Sequence, residues 1–372
     1  MLRQNLLLLS IGAASVLALT AAACGDSGTD TTGSGGGSSS GGGLQPPKRP
    51  TDAVAGDGTG KLYGTTHLYI GTKTRSGELS ADAWKDYGYD LDGQSTASDF
   101  KNHCKPAGGA APNNVFPDGN NGIDNAFGKV LLPVIKTAAM TSSPDLEGSL
   151  NDSITGGSFN IMIDLATLGD GTDYDPIDGY LYAGKNGVGS AWEAAPEFLS
   201  DPNNADMTAA LHSSQVHFAS SYTNANTWVS GDKGTVGLSL GIAGFSLDLN
   251  IRSAVLSMEL SGDHSTGTNG VIAGVLDTEE LIDQLRTVLG AVDTSFCEGA
   301  AVEGILNQIR QASDIMKDGS QDPNATCDGI SIGLGFDAGI VTITKVGDPA
   351  EPGTPPCEGT GGGGGAGGGA GG

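Results

Sequence analysis

The chain has 372 residues, 62 of them glycine, and a formal net charge of −25 from 18 basic and 43 acidic side chains. A surface so acidic repels nucleic acid and anionic headgroups and attracts cations, which excludes nucleic-acid binding as a class. With 16% charged residues and glycine this abundant, the composition predicts a turn-rich, mainly β fold rather than a helical one.

Arg3 precedes an apolar run that starts at Leu6 and ends in Leu19-Thr20-Ala21-Ala22-Ala23-Cys24-Gly25. This is the pattern of a secretory signal with a small-residue cleavage site, so residues 1–23 are assigned to a signal peptide. The end of the run resembles a bacterial lipobox, which implies lipidation (palmitate among the acyl chains) at Cys24. In such lipoproteins an aspartate directly after the cysteine marks inner-membrane retention. Gly25 stands there, so the resemblance favours the outer membrane. The competing reading is an uncleaved transmembrane anchor; no other segment is long and apolar enough to cross a bilayer.

A Gly/Ser/Thr tract and then Pro46-Pro47-Lys48-Arg49-Pro50 follow, and residues 24–60 are expected to form a lipidated flexible tether. Its Gly/Ser part spans roughly 25 Å as a random coil. Residues 61–157 read as a mixed, partly helical region with Asp-rich turns, residues 158–350 as a β-rich domain with a disulfide-bracketed helix, and residues 351–372 as a glycine-rich tail.

In chain order, Phe127, Leu131, Val134, Ile135 and Ala138 recur at helical spacing, with Asp124 expected as the cap and Pro133 as a kink. Ser143 is expected to cap a second helix whose Leu146, Leu150 and Ile154 share a face. From Ser158 the period becomes two: Phe159, Ile161, Ile163 and Leu165 alternate with polar residues. Further strands are expected at residues 180–183, 215–220, 236–240 and 245–260, the last with a phase slip near Arg252-Ser253-Ala254. Asp277-Thr278-Glu279-Glu280 opens a helix that Gly290 is expected to stop, and Val302, Ile305, Leu306, Ile309 and Met316 mark another. Ile330, Ile332, Leu334 and Phe336 form a strand turning at Asp337-Ala338-Gly339 into residues 340–346. Gly237-Leu238-Ser239-Leu240-Gly241 and Gly329-Ile330-Ser331-Ile332-Gly333 look alike, which suggests two similar hairpins. The expected fold is mainly β (α+β): an antiparallel β-sandwich or barrel-like sheet with accessory helices.

With Cys24 lipidated, Cys104, Cys297, Cys327 and Cys357 remain, an even number in an oxidising compartment. Four cysteines allow three pairings. Cys297–Cys327 with Cys104–Cys357 is preferred because the first pair brackets one predicted helix, a closure that contributes about 3–4 kcal/mol on the chain-entropy model.

The two Gly-x-Ser-x-Gly segments match a serine-hydrolase pattern at Ser239 and Ser331, but that chemistry needs a strand-to-helix elbow and both serines sit in period-two alternation. His67, His103, His212, His217 and His264 show no metal-binding spacing. The Asp-rich turns carry the best candidate site. Calcium takes six to eight hard oxygens, and alternating Asp and Asn in a glycine-bearing loop supplies them at short spacing. Asp90 and Asp92 before Gly93 form one such turn; Asp118, Asn120 and Asp124 around Gly122 form another. Both depart from the EF-hand: with Gly122 at the invariant glycine, Pro117 falls at the first ligand, and no closing Glu follows. Asp170, Asp173, Asp175 and Asp178 form a third cluster. Asx-turns alone account for all three equally well. Trp84, Tyr87, Tyr89, Tyr174, Tyr180, Tyr182, Trp192 and Trp228 could furnish an aromatic platform for a glycan.

The lipobox, the Gly/Ser tether, Asp90-Leu91-Asp92-Gly93 before Cys104, Asn121-Gly122-Ile123-Asp124-Asn125 leading into an apolar helix, the β body and the Gly329–Gly333 strand resemble, in that order, a group of uncharacterised bacterial surface lipoproteins. The resemblance implies no activity. The expected function is a lipid-anchored envelope protein with a non-enzymatic binding or structural role, partnered by the membrane through its anchor and by a glycan or an envelope protein. The alternative is a secreted hydrolase acting on glycans or esters.

Overall fold

The structure, a computed structural model, describes residues 43–138, 145–242, 245–292, 297 and 299–349. The signal run, Cys24, the Gly/Ser tract and the tail with Cys357 lie outside the described residues.

Among the described residues, eleven strands and six α-helices follow one another: β1 (Lys61–Tyr69), α1 (Pro112–Val115), α2 (Leu132–Ala138), α3 (Leu146–Thr155), β2 (Asn160–Leu165), β3 (Tyr174–Val188), β4 (Ala191–Ala194), α4 (Met207–Leu211), β5 (His217–Asn224), β6 (Thr227–Val229), β7 (Gly234–Ile242), β8 (Phe245–Leu260), β9 (Thr266–Asp277), α5 (Thr278–Val292), α6 (Ala300–Arg310), β10 (Gly329–Ile340) and β11 (Thr342–Val346). Eight strands close on themselves in the order β3-β2-β1-β10-β9-β8-β6-β5, and β5 pairs back onto β3. The fold is therefore mainly β, a closed antiparallel barrel, with β4 and β11 added beyond β3 and β7 added beside β8. Closure removes the exposed edges that an open sheet of this size would leave.

One continuous apolar cluster fills the barrel and runs into the helices. Tyr63, Ile163, Leu181, Phe218, Trp228, Met258, Leu334 and Phe336 join Leu150 of α3, Leu285 of α5 and Leu306 of α6. Alternation gives the strands a second apolar face. On β9, Ile272 and Leu276 belong to the barrel cluster, whereas Val271, Ala273 and Val275 pack outside it with Tyr89, Leu91 and Ile315.

Several local expectations change. β1 belongs to the same barrel as β2 to β10, so the boundary expected at residue 157 does not divide the sheet. The tether does not extend to residue 60: Gly43 N–H donates to Asp90, Tyr222 Oη donates to Pro47 O, and Gly56 N–H donates to Pro176 O, which lays residues 43–60 along the barrel. Asp145, not Ser143, caps α3, accepting from Gly148 N; Ser143 lies outside the described residues. Asp124 does not cap the helical stretch after it, which starts as a wide π turn (Phe127–Leu131) ahead of Pro133. Asp277 caps α5 as expected, but the helix continues past Gly290 to Val292. The phase slip in β8 is real: Ser253 has φ +49° and the β8–β9 register shifts between Arg252 and Val255.

β10 and β11 do not form a hairpin matching β7 and β8. β10 runs through Asp337 with a bulge, and β11 leaves to pair in parallel with β4. The preferred disulfide pairing is also overturned, because Cys104 bonds to Cys327. Cys297 is likewise disulfide-bonded. The reason is spatial: Lys105 N–H donates to Ala325 O and Cys327 N–H donates to Lys105 O, so these two segments run side by side.

Candidate metal centre

The two ends of the segment from Trp84 to Ala126, at Tyr87 and at Asn125–Ala126, lie against the outer face of β10, and three contacts hold them there. Gly333 permits the approach: a Cβ at this position would sit 2.1 Å from Tyr87 O. The buried Asn125 side chain then satisfies the facing backbones, donating to Tyr87 O (3.0 Å) and Gly333 O (2.9 Å) and accepting from Gly333 N (3.1 Å) and Gly128 N (3.0 Å). Beside it, Ser331 Oγ accepts from Ala126 N (2.8 Å) and donates to Asp314 Oδ2 (2.6 Å).

This docking brings together side chains that are far apart in sequence. Asp90, Asp92 and Asp124 each offer a carboxylate oxygen, and these atoms lie within 4.8 Å of one another. All three are withdrawn from solvent: Asp90 is 2% and Asp124 6% exposed, and the Asp92 side chain is 2% exposed. Glycines make the loops possible, with Gly93 at φ +78° and Gly122 at φ +75°. Part of the carboxylate capacity is used locally. Asp90 accepts from Gly93 N and Gly43 N, Asp92 from Gln94 N and Gln321 Nε2, and Asp124 from Leu91 N (2.7 Å) and Asp92 N (3.3 Å). Each carboxylate oxygen can accept more than one partner, so a cation is compatible with these bonds.

Asp118 and Asp314 enlarge the cluster. Burial pushes each up to about 7, and the nearby charge of Asp92 pushes in the same direction. Asp124 is raised well above the usual carboxylate range by burial and then by Asp92, Asp118 and Asp314. Asp90 is raised by burial, partly offset by its backbone bonds. The cationic groups nearby are few. Burial lowers Lys129 to about 8, and its Nζ donates to Val115 O and Pro117 O and lies over the Trp84 ring. Burial also lowers His103, against the pull of Asp92, whose Oδ2 is 3.9 Å from its Nε2. Like carboxylates crowded in a low-dielectric site hold protons that a divalent cation would displace.

Other expected site residues lie elsewhere. Asn120 is turned away and donates to Asp86 Oδ1, so it is not part of this group. The third Asp cluster does not converge: Asp173 accepts from Ala225 N, Asp175 pairs with Arg49 and Asp178 faces His217. Ser331 sits within β10, hydrogen-bonded to Asp314, with no elbow after it, and Ser239 lies on β7. All eight aromatic side chains considered as a glycan platform are buried, the most exposed at 7%. Asp314 and Gln321 carry no local motif; long-range contacts place them here, among them the Cys104–Cys327 bond, the Ile315–Gly329 bridge, the Ser331 hydroxyl on Asp314 and the bond from Cys104 N to Gln321 Oε1. No helix among the described residues is long and apolar enough to cross a membrane. No family model, characterised protein or solved structure matches the chain.

The raised carboxyls set the direction of a pH dependence. An acid whose pKa rises on folding binds more protons in the folded chain, so its penalty is complete above the folded value near 7. The penalty disappears as pH falls through the ordinary carboxyl range near 4. In chelator, stability measured by urea unfolding should rise by on the order of 2 kcal/mol from pH 8 to pH 5, allowing for screening of the partly exposed Asp118. Asp118→Asn should shrink that rise without abolishing it, because burial keeps Asp124 and Asp314 raised; a profile falling with acid would contradict it.

Proposed function

We propose that the chain is a lipid-anchored envelope protein with a non-enzymatic binding or structural role, whose barrel carries a calcium-binding cap at Asp90, Asp92 and Asp124. The observation that carries the calcium reading is the convergence of these three carboxylates in a space closed to solvent. A buried group of hard oxygens suits an ion and has no open face for a sugar ring or an ester, which favours cation binding over the hydrolase alternative. Calcium is preferred to magnesium because loop carboxylates with backbone partners adapt to its larger, irregular coordination shell. Backbone carbonyls and water would complete the shell.

The anchor rests on the resemblance of Leu19 to Cys24 to a lipobox. Gly43 and Leu44, the first described residues, are bonded to Asp90 and Asn121.

Melting the mature domain in millimolar calcium and in excess EDTA tests the calcium reading. A ligand at 100 times its Kd adds about 2.7 kcal/mol, so the calcium sample should melt several degrees higher, and Asp124→Asn should abolish the difference. Identical melts would refute it. For the anchor, Cys24→Ala expressed in a bacterial host should move the protein from the membrane pellet to the soluble or precursor fraction; unchanged, mature, membrane-bound protein would contradict lipidation.

A further inference from the structure

Among the described residues, the carboxylates of Asp90 and Asp124 accept hydrogen bonds from backbone N–H groups alone, those of Gly43 and Gly93 and those of Leu91 and Asp92. Asp92 is held differently. Its Oδ1 accepts from Gln94 N (2.8 Å), but its Oδ2 accepts from the side chain of Gln321 (2.9 Å), 229 residues further along the chain. His103 Nε2, 3.9 Å from the same oxygen, is beyond hydrogen-bond reach. The Gln321 amide is fully engaged: Nε2 donates to Asp92 Oδ2 and to Asp314 O (3.1 Å), and Oε1 accepts from Cys104 N (2.9 Å). Cys104 N can only donate, whereas a carboxylate and a carbonyl only accept, so the amide fits in one orientation. The Cys104–Cys327 bond, with Lys105 N donating to Ala325 O and Cys327 N to Lys105 O, keeps the two flanking segments in register.

We propose that Gln321 is a positioning residue of the cation site, a role that rests on the calcium reading of Asp90, Asp92 and Asp124: its amide fixes the rotation of the Asp92 carboxylate, so that an oxygen stays turned towards the other two, and takes its own place from the disulfide-held Cys104 backbone. A carboxylate free to rotate loses that freedom when it ligates, and a water can take its position in the shell instead. An outer partner that holds the ligand beforehand removes that cost. The bond from Gln321 does not use up Asp92 Oδ2, because each carboxylate oxygen can accept more than once. The chemistry of the clamp also suits a cation site. A lysine or arginine in this place would hold Asp92 equally well but would compete with the ion for its charge, whereas a neutral amide holds the geometry and leaves the charge available.

The test is titration of the metal-free mature domain with calcium, and with europium(III) as a tighter-binding oxygen-seeking probe whose emission lifetimes in H2O and D2O count bound waters. Gln321→Met keeps the length of the half-buried side chain and removes its polar atoms. Gln321→Asn keeps the amide but is one methylene too short to span from Cys104 N to Asp92, and it serves if the first variant does not fold. Either variant should weaken the Kd about tenfold or more, the usual effect of losing an outer partner of a metal ligand, and should raise the europium water count by about one. In an Asp92→Asn background the same Gln321 change should alter the Kd by less than about twofold, because a residue that acts through Asp92 has nothing left to position. A merely structural role would lower the melting point of the metal-free domain, add to the Asp92→Asn loss and leave the water count alone. No binding of calcium by the wild type would refute the calcium reading and the positioning role with it. Wild-type binding with an unchanged Kd in the Gln321 variants, an unchanged water count, or additive losses in the Asp92→Asn background would overturn the positioning role alone.

Discussion

The close approach of the Trp84–Ala126 segment to β10 at Gly333 is the constraint on which the acidic cap depends. Any side chain there would drive its Cβ into Tyr87 O, and the segment would lift from the barrel. Asn125 then does what a neighbouring strand would otherwise do, giving hydrogen-bond partners to buried backbone on both sides. An unpaired buried amide or carbonyl costs about 1–3 kcal/mol, so exchanging Asn125 for an apolar residue removes more than one contact. The Asp314–Ser331 pair and the Cys104–Cys327 bond fasten the other flank. Closing a chain separation of 223 residues contributes up to about 5 kcal/mol on the chain-entropy model, more than the short loop first expected from the sequence.

Once the segment is fixed, its electrostatics are unfavourable unless something offsets them. Two unit charges 4 Å apart repel by about 4 kcal/mol at an effective dielectric of 20, and the cap holds at least three carboxylates within 4.8 Å. Asx-type bonds such as Asp92 to Gln94 N account for the local turn shapes. The bonds from Leu91 N and Asp92 N bring the Asp124 carboxylate against that turn, and Asp118 and Asp314 are close enough to raise Asp124 further. Protons can relieve the repulsion at low pH; a divalent cation would relieve it at neutral pH. That difference separates a cation site from a set of satisfied turns.

Much of the architecture was legible from residue patterns. The alternation from Phe159 to Leu165 and from Val236 to Leu260 marks real strands, and the slip at Ser253 marks a real bulge. β9 was not legible, because its sequence places glycines where alternation would show apolar residues. A Cβ at Gly270 would meet the Phe336 ring at 2.6 Å, and one at Gly274 would meet Ile251 at 2.5 Å. The Asp-rich turns drew attention to Asp90, Asp92, Asp118 and Asp124, and the structure brings them into one neighbourhood. Asn120 shared their spacing but faces Asp86, because period and composition do not determine which way a turn residue points. Asp314 was invisible in the sequence: it is a single aspartate after a helix, and only long-range contacts carry it under the cap.

The most direct measurement is calorimetric titration of calcium into the metal-free mature domain at pH 6.5, repeated in two buffers of different ionisation enthalpy. A cation entering a cluster of raised carboxyls must displace their protons. The account predicts one calcium per chain and a release of about one proton or more, both lost in Asp124→Asn. Binding without proton release, binding unaffected by Asp124→Asn, or no binding at millimolar calcium would contradict it.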